Sequence, residues 1–166
     1  MQKFTQKYTI IMLLEDRPNG YEFSSSNWPL HVTIADTFAV DWDSNNLRDK
    51  LSLLVSNHVP VTAIAAHDEY FGSERQTQVT ILDTSKGLIE LHNKVIALLE
   101  EAGAVFNNPE YNNAGFRAHA TVQPHARLNE HDAVSLNNLT VIDMFPNKNP
   151  HLRKIIKIME LGKRQS

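Results

Sequence analysis

Near the start of the chain, Tyr8 to Leu14 form an almost unbroken apolar run, YTIIMLL, with no period-two alternation. A segment apolar on both faces predicts a central strand, since a strand with one wet face alternates. The next stretch, Asp16 to Pro29, is rich in turn formers and predicts a long loop. It delivers the chain into LHVTIADTF, a second strand. A helix is expected from about residue 45 to 57, capped by Asp43 or Ser44, with Leu47, Leu51, Leu54 and Val55 at helical spacing on its buried side and Pro60 beyond its end. VTAIAAHDEYFG and TQVTILDT then read as two strands joined by the polar turn Gly72 to Gln76. Ser85 is the expected cap of a second helix, whose face carries Leu88, Leu91, Val95, Leu98 and Leu99 until Gly103 stops it.

A second polar loop, Asn107 to Gly115, empties into FRAHATVQ, read as a strand. VSLNNLTVIDMF and RKIIKIMEL read as two more strands with NKNPH between them, and residues 162–166 are an expected disordered tail. Strands follow one another without strict alternation with helices, which predicts antiparallel pairing in an α+β fold. With no linker-like tract inside, residues 1–161 are expected to form one domain.

The 166 residues are 42% apolar and 21% charged, enough chain for a sizeable core. A net charge of −3 argues against a protein that grips duplex DNA through its phosphates, while leaving small or short anionic substrates open. The absence of cysteine removes disulfides, thiolate metal sites and cysteine nucleophiles, and fits a reducing compartment. The apolar run near the start is too short for a membrane span and lacks a small-residue cleavage site, so no membrane partner and a cytoplasmic location are expected.

Two short segments raise a chemical question. LHVTI places His31 and Thr33 two apart in a strand, and AHATV repeats the arrangement with His119 and Thr121. Side chains two apart share a face, so each strand sets a polar pair against an apolar reverse side. One such histidine is ordinarily a hydrogen-bonded residue at a sheet boundary. Two in matched context, each preceded by a polar loop, point to a shared cleft. Opposed imidazoles suit phosphoryl transfer without a metal: one neutral ring takes a proton from the attacking oxygen and one protonated ring gives a proton to the departing one, both within reach of an ordinary value of ~6.5. Threonine hydroxyls on the same face can donate to phosphate oxygens.

The paired His-x-Thr segments resemble the motifs of the 2H phosphoesterase superfamily, which includes 2′-5′ RNA ligases and cyclic nucleotide phosphodiesterases. That resemblance implies two lobes of antiparallel sheet about a pseudo-two-fold axis, helices outside, and a cleft between the lobes. It implies His31 and His119 as the acid/base pair and Thr33 and Thr121 as phosphate ligands. The implied activity is metal-independent hydrolysis of a 2′,3′-cyclic phosphate or a 2′-5′ linkage in nucleotides or short RNA ends, with no cofactor. The chain is expected to act as a monomer. A catalytically silent binder of phosphate or RNA ends is the alternative, and a metal-dependent hydrolase using other histidines with Asp68 or Asp132 a third.

Arg117, two before His119, is expected on the same face, where it could hold a further phosphate charge or form a rim ion pair. Trp28 and Phe116 each sit three residues before their histidine, an odd offset that predicts core packing if the strand is already extended there. By the same parity Asp36 should point away from His31, which leaves Arg117 beside His119 to favour its neutral form and His119 as base. Tyr8 and Tyr111 are weaker ligand candidates. His58, His67, His92, His125, His131 and His151 lack metal-binding spacing and are expected in surface or structural roles.

Overall fold

The computed structural model describes residues 6–83 and 86–163. Along these residues run β1 (Lys7–Leu13), β2 (Glu22–Ser24), β3 (His31–Ala39), α1 (Ser44–Ser56), β4 (Val61–Phe71), β5 (Thr77–Leu82), α2 (Lys86–Glu101), β6 (Val105–Phe106), β7 (His119–Thr121), β8 (Ala133–Leu136), β9 (Asn138–Asp143) and β10 (Leu152–Glu160). The strands make two antiparallel sheets, a six-stranded one in the order β2-β10-β9-β1-β3-β6 and a four-stranded one in the order β7-β5-β4-β8. This is the expected two-lobed α+β architecture.

The double-sided run in β1 is explained by what covers it. Ile10 and Met12 enter the main core with the buried stripes of both helices, whereas Ile11 and Leu13 pack on the opposite face with Phe23, Ile142 and Ile155. The polar stretch before β3 supplies that second cover through Tyr21, Phe23 and Trp28. Asp43 caps α1 by accepting from the Asn46 amide at 2.8 Å, and Leu47, Leu51 and Val55 are buried as the spacing predicts. The helices are the outer elements of the main core: each buries its apolar stripe and leaves its polar face exposed. α2 ends before Gly103, whose φ of +79° is ready for the left-handed turn. The expected cap Ser85 lies outside the described residues.

Three expectations need correction. The stretch 134–145 is not one strand but two, β8 and β9, in different sheets. The chain crosses between the lobes at Asn137, and the buried Asn138 side chain holds the crossing: its Oδ1 accepts from the Leu13 amide at 2.8 Å and its Nδ2 donates to the Leu13 carbonyl at 3.0 Å. No glycine or proline marks the break, so the apolar pattern reads straight through it. The loop before β3 contains β2, which pairs with β10, and the chain just before the second polar loop forms β6 against β3. Both are too short to carry a pattern of their own. The second histidine strand is only three residues long, because the backbone before it is drawn into two turns of 3-10 helix at Pro109–Tyr111 and Asn113–Gly115. Of the expected tail, Gly162 donates to the Val55 carbonyl at 3.0 Å, and residues 164–166 lie outside the described residues.

Candidate active site between the two sheets

β3, next to one edge of the larger sheet, and β7, the edge of the smaller, lie in contact where the lobes meet. Their motifs are mounted alike. His31 pairs across its sheet with Leu13 and Thr33 with Ile11, while His119 pairs with Ile81 and Thr121 with Val79. All four partners are buried aliphatic residues on the central strand of the motif's own sheet. Val32, Ile34, Ala118 and Ala120 are buried on the reverse faces, whereas His31, Thr33, His119 and Thr121 are each partly exposed. The period-two reading of both motifs holds.

The imidazoles are oriented by matching bonds. His31 Nδ1–H donates to the Pro29 carbonyl at 2.7 Å and His119 Nδ1–H to the Arg117 carbonyl at 2.8 Å. A carbonyl only accepts, so Nδ1 carries the hydrogen in both rings and each Nε2 is left for chemistry. Burial pushes His31 down to about 4, reinforced by repulsion from His119 and opposed by the Pro29 bond and Glu15. His119 is also lowered, by burial first and then by the Arg117 guanidinium, against the pull of its carbonyl bond and of Asp36. The repulsion felt at His31 places it within electrostatic reach of His119.

Two cavities meet at these residues. The smaller, about 260 Å³, is lined by His31, Thr33, Thr121, Trp28 and Asp36; the larger, about 720 Å³, by His119, Thr33 and Asp36 together with Phe71, Tyr111 and Phe116. Thr33 and Asp36 line both. The four motif residues therefore line two adjoining cavities, Thr121 and His31 in the smaller, His119 in the larger and Thr33 in both.

Asp36 was expected to point away, and the reason it does not is the first of two irregularities in β3. Opposite β1 the register advances from Thr33 to Ala35 for one residue of the partner, and from Ala35 to Phe38 for two. Each extra residue shifts the alternation by one. Asp36 thus returns to the cleft face, where its Oδ2 accepts from Asn108 Nδ2 at 2.7 Å. The signal is visible in IADT, where two apolar residues and then two polar ones break alternation. Trp28 likewise precedes the strand proper, so its parity does not apply: its ring lies 5.0 Å from that of His31 and 5.0 Å from Phe23, making it a wall of the smaller cavity.

Arg117 lines the larger cavity as its proximity to His119 implied, but its guanidinium is engaged by Glu69 through two bonds of 2.9 and 2.6 Å. Bonds from Arg117 and from His67 hold the Glu69 carboxyl down to about 2. Arg117 also lies over Phe71, whose ring meets the His119 ring edge-on at 4.8 Å. Glu69 and Phe71 were not singled out from sequence, being members of an ordinary alternating hairpin strand.

His92 is structural, and its role is specific. Its Nδ1–H donates to the carbonyl of Ile34, the first extra residue of β3, at 2.7 Å, and its Nε2 accepts from the Asn113 amide at 2.9 Å. Its ring stacks on Phe116 at 3.9 Å, so that helix, irregular strand and loop are joined at the cavity wall. Gly115 closes that loop, since a Cβ there would overlap the Glu110 carbonyl. Of the weaker candidates, Tyr8 is buried with its hydroxyl donating to Trp42, and Tyr111 lines the larger cavity. Among the described residues no group of three histidine, aspartate or glutamate side chains is arranged to hold a metal ion, and no helix is long and apolar enough to cross a membrane.

No protein-family model matches the chain, and no curated protein matches it by sequence. Its structure does match solved ones. A phosphoesterase crystal structure aligns with a TM-score of 0.56 and 18% identity over 94% of this chain and 98% of that one. Escherichia coli LigT in complex with 3′-AMP gives 0.58 and 18% over 94% and 98%, and LigT with NADP+ gives 0.56 and 16% over 96% and 99%. With these matches spanning both lobes, the chain has the two-lobed α+β fold of the LigT and phosphoesterase structures, the architecture implied by the resemblance of its paired His-x-Thr segments to the 2H phosphoesterase superfamily.

Proposed function

We propose that this protein is a 2H phosphoesterase that hydrolyses a 2′,3′-cyclic phosphate or a 2′-5′ phosphodiester in nucleotides or short RNA ends, without a metal. The observation that carries this reading is the matched mounting of His31 and His119, each with Nδ1 tied to the carbonyl two residues earlier and Nε2 left for the cleft. The nucleotides in the LigT complexes, 3′-AMP and NADP+, support a nucleotide as the substrate class.

In the hydrolytic direction, water attacks phosphorus and the bond to the departing ribose oxygen breaks. Nε2 of one histidine takes the water's proton as the new P–O bond forms, and Nε2–H of the other protonates the leaving oxygen, so protons balance over the step. His31, pushed by burial down to about 4 and so held neutral, is the base; His119, lowered by burial and by Arg117 against the pull of its carbonyl bond and Asp36, is the acid. This reverses the assignment that sequence parity favoured, because burial, which spacing does not show, holds His31 neutral. The hydroxyls of Thr33 and Thr121 are the phosphate ligands, and among the described residues no side-chain hydrogen bond engages either. Arg117, already paired with Glu69, is assigned to the cavity wall and contacts a phosphate only if that pair opens.

The test is turnover of a nucleoside 2′,3′-cyclic phosphate by the purified protein in EDTA. Retained turnover that is lost in both His31→Ala and His119→Ala supports the proposal. Activity abolished by chelation and restored by a divalent cation overturns it.

A further inference from the structure

The larger cavity is an unusual neighbour for a phosphate site. Three carboxylate-bearing residues, Asp36, Glu69 and Glu110, line it. Arg117 is the one lysine or arginine among its described lining residues, and Glu69 already engages that guanidinium through two bonds. Asp36 is bonded to no lysine or arginine among the described residues: its bond comes from the neutral Asn108 amide, and its charge acts on His119. Asp36 and Glu110 therefore line the cavity without a bond to lysine or arginine among the described residues. Tyr70, Phe71, Tyr111 and Phe116 add four aromatic side chains to the wall. Such a space, of about 720 Å³, accepts a flat, uncharged or cationic organic group and repels a second phosphate.

We infer that this cavity selects phosphodiesters whose organic group carries no further phosphate, such as a nucleoside with a free 5′-hydroxyl, and that Asp36 is the residue that enforces the selection. The inference rests on the phosphodiesterase reading and narrows its substrate. The geometry behind it belongs to this chain: the irregular register of β3 brings a carboxylate onto a face where regular alternation would have hidden it. Asn108 then fixes that carboxylate at the junction of the two cavities, so a substrate phosphate bound by the threonines has Asp36 next to its organic side. A second phosphate in the larger cavity would face like charge in a partly desolvated space, where screening by salt is incomplete.

The experiment compares adenosine 2′,3′-cyclic phosphate bearing a 5′-hydroxyl with the same compound bearing a 5′-phosphate. In parallel, calorimetry measures binding of adenosine 3′-phosphate and adenosine 3′,5′-bisphosphate. The wild-type protein should favour the 5′-hydroxyl compound in kcat/KM, and the monophosphate in affinity, by about tenfold at low salt. Asp36→Asn, whose amide oxygen can still accept from Asn108, should cut that preference to about threefold or less. Glu110→Gln should reduce it further. Equal or better use of the 5′-phosphorylated compound by the wild type, or an unchanged preference in Asp36→Asn, overturns the inference while leaving phosphodiesterase activity standing. If neither cyclic compound is turned over but the monophosphate binds more tightly than the bisphosphate, the activity fails and the charge selection holds. If neither nucleotide binds, both fall.

Discussion

His31 and His119 are held by the same bond at equivalent places in two sheets: each donates Nδ1–H to the carbonyl two residues earlier, at 2.7 and 2.8 Å, and each faces a buried aliphatic residue, Leu13 or Ile81, on the neighbouring strand. Fixing Nδ1 fixes the ring plane and the tautomer, so in the proposed phosphodiesterase neither imidazole has to reorient for a bound phosphate. The two environments nevertheless differ. His31 lies against Trp28, whereas His119 has Phe71 at its edge and feels both Arg117 and Asp36.

Removing either ring removes one proton-transfer partner. His31→Ala and His119→Ala should each lower kcat by roughly 10²- to 10⁴-fold with little change in thermal midpoint. Thr33→Val and Thr121→Val should cost less, roughly 10-fold each. Steady-state kinetics alongside thermal melts separates these effects, and full activity in a folded histidine variant would falsify the acid/base assignment.

A leaving group that needs no proton distinguishes the two roles. With a nitrophenyl phosphodiester, loss of the acid His119 should be largely compensated, whereas loss of the base His31 should remain as damaging as with the natural leaving oxygen. Compensation of His31→Ala instead would reverse the roles.

The pH profile should be a bell displaced to the acid side. His31 is neutral, as a base requires, above about 4, and His119 loses the proton an acid requires below its ordinary value, since both rings are lowered by burial. For the free enzyme, kcat/KM should therefore rise through the lower limb and fall again below about pH 6.5, the limbs belonging to the coupled pair. In Asp36→Asn the upper limb should move further down, because a negative charge that favours the protonated ring is gone. A profile that is flat from pH 5 to 8 contradicts the mechanism.

Folding should also feel His31. Its native value lies below that of the unfolded chain, so the unfolded state binds the proton more readily and stability falls as pH drops from about 6.5 toward about 4. Glu15 and Glu69, also lowered in the native state, add losses of the same sign as they are protonated. Denaturant melts of wild type and His31→Gln at pH 7 and pH 5 isolate the histidine's share: the variant should lose less stability between the two.

Asn138 carries the crossing between sheets. Asn138→Leu would keep the volume and strand both bonds to the Leu13 backbone, costing roughly 2 to 4 kcal/mol. Urea titration measures this, and a loss below about 0.5 kcal/mol would show that the backbone finds other partners.

Much of the frame was legible from local pattern. Period-two spacing put His31 with Thr33 and His119 with Thr121 on polar faces, and helical spacing with an Asp43 cap located α1, because pleat and helix geometry act over a few residues and need no distant partner. What failed was whatever depended on registry between strands far apart in sequence. An extra residue in β3 matters only against β1, yet it turned Asp36 into a cleft residue whose charge acts on His119. The break at Asn137 is invisible until Leu13 takes the Asn138 side chain as a strand-like partner. Arg117 could be placed beside His119 from spacing alone, but its charge was settled by Glu69, a residue of another strand. The sequence by itself determined which side chains share a face where a strand is regular; only the tertiary structure decided where it is not and which faces meet, because alternation is a property of one strand and neutralisation, bulging and cavity shape are properties of at least two.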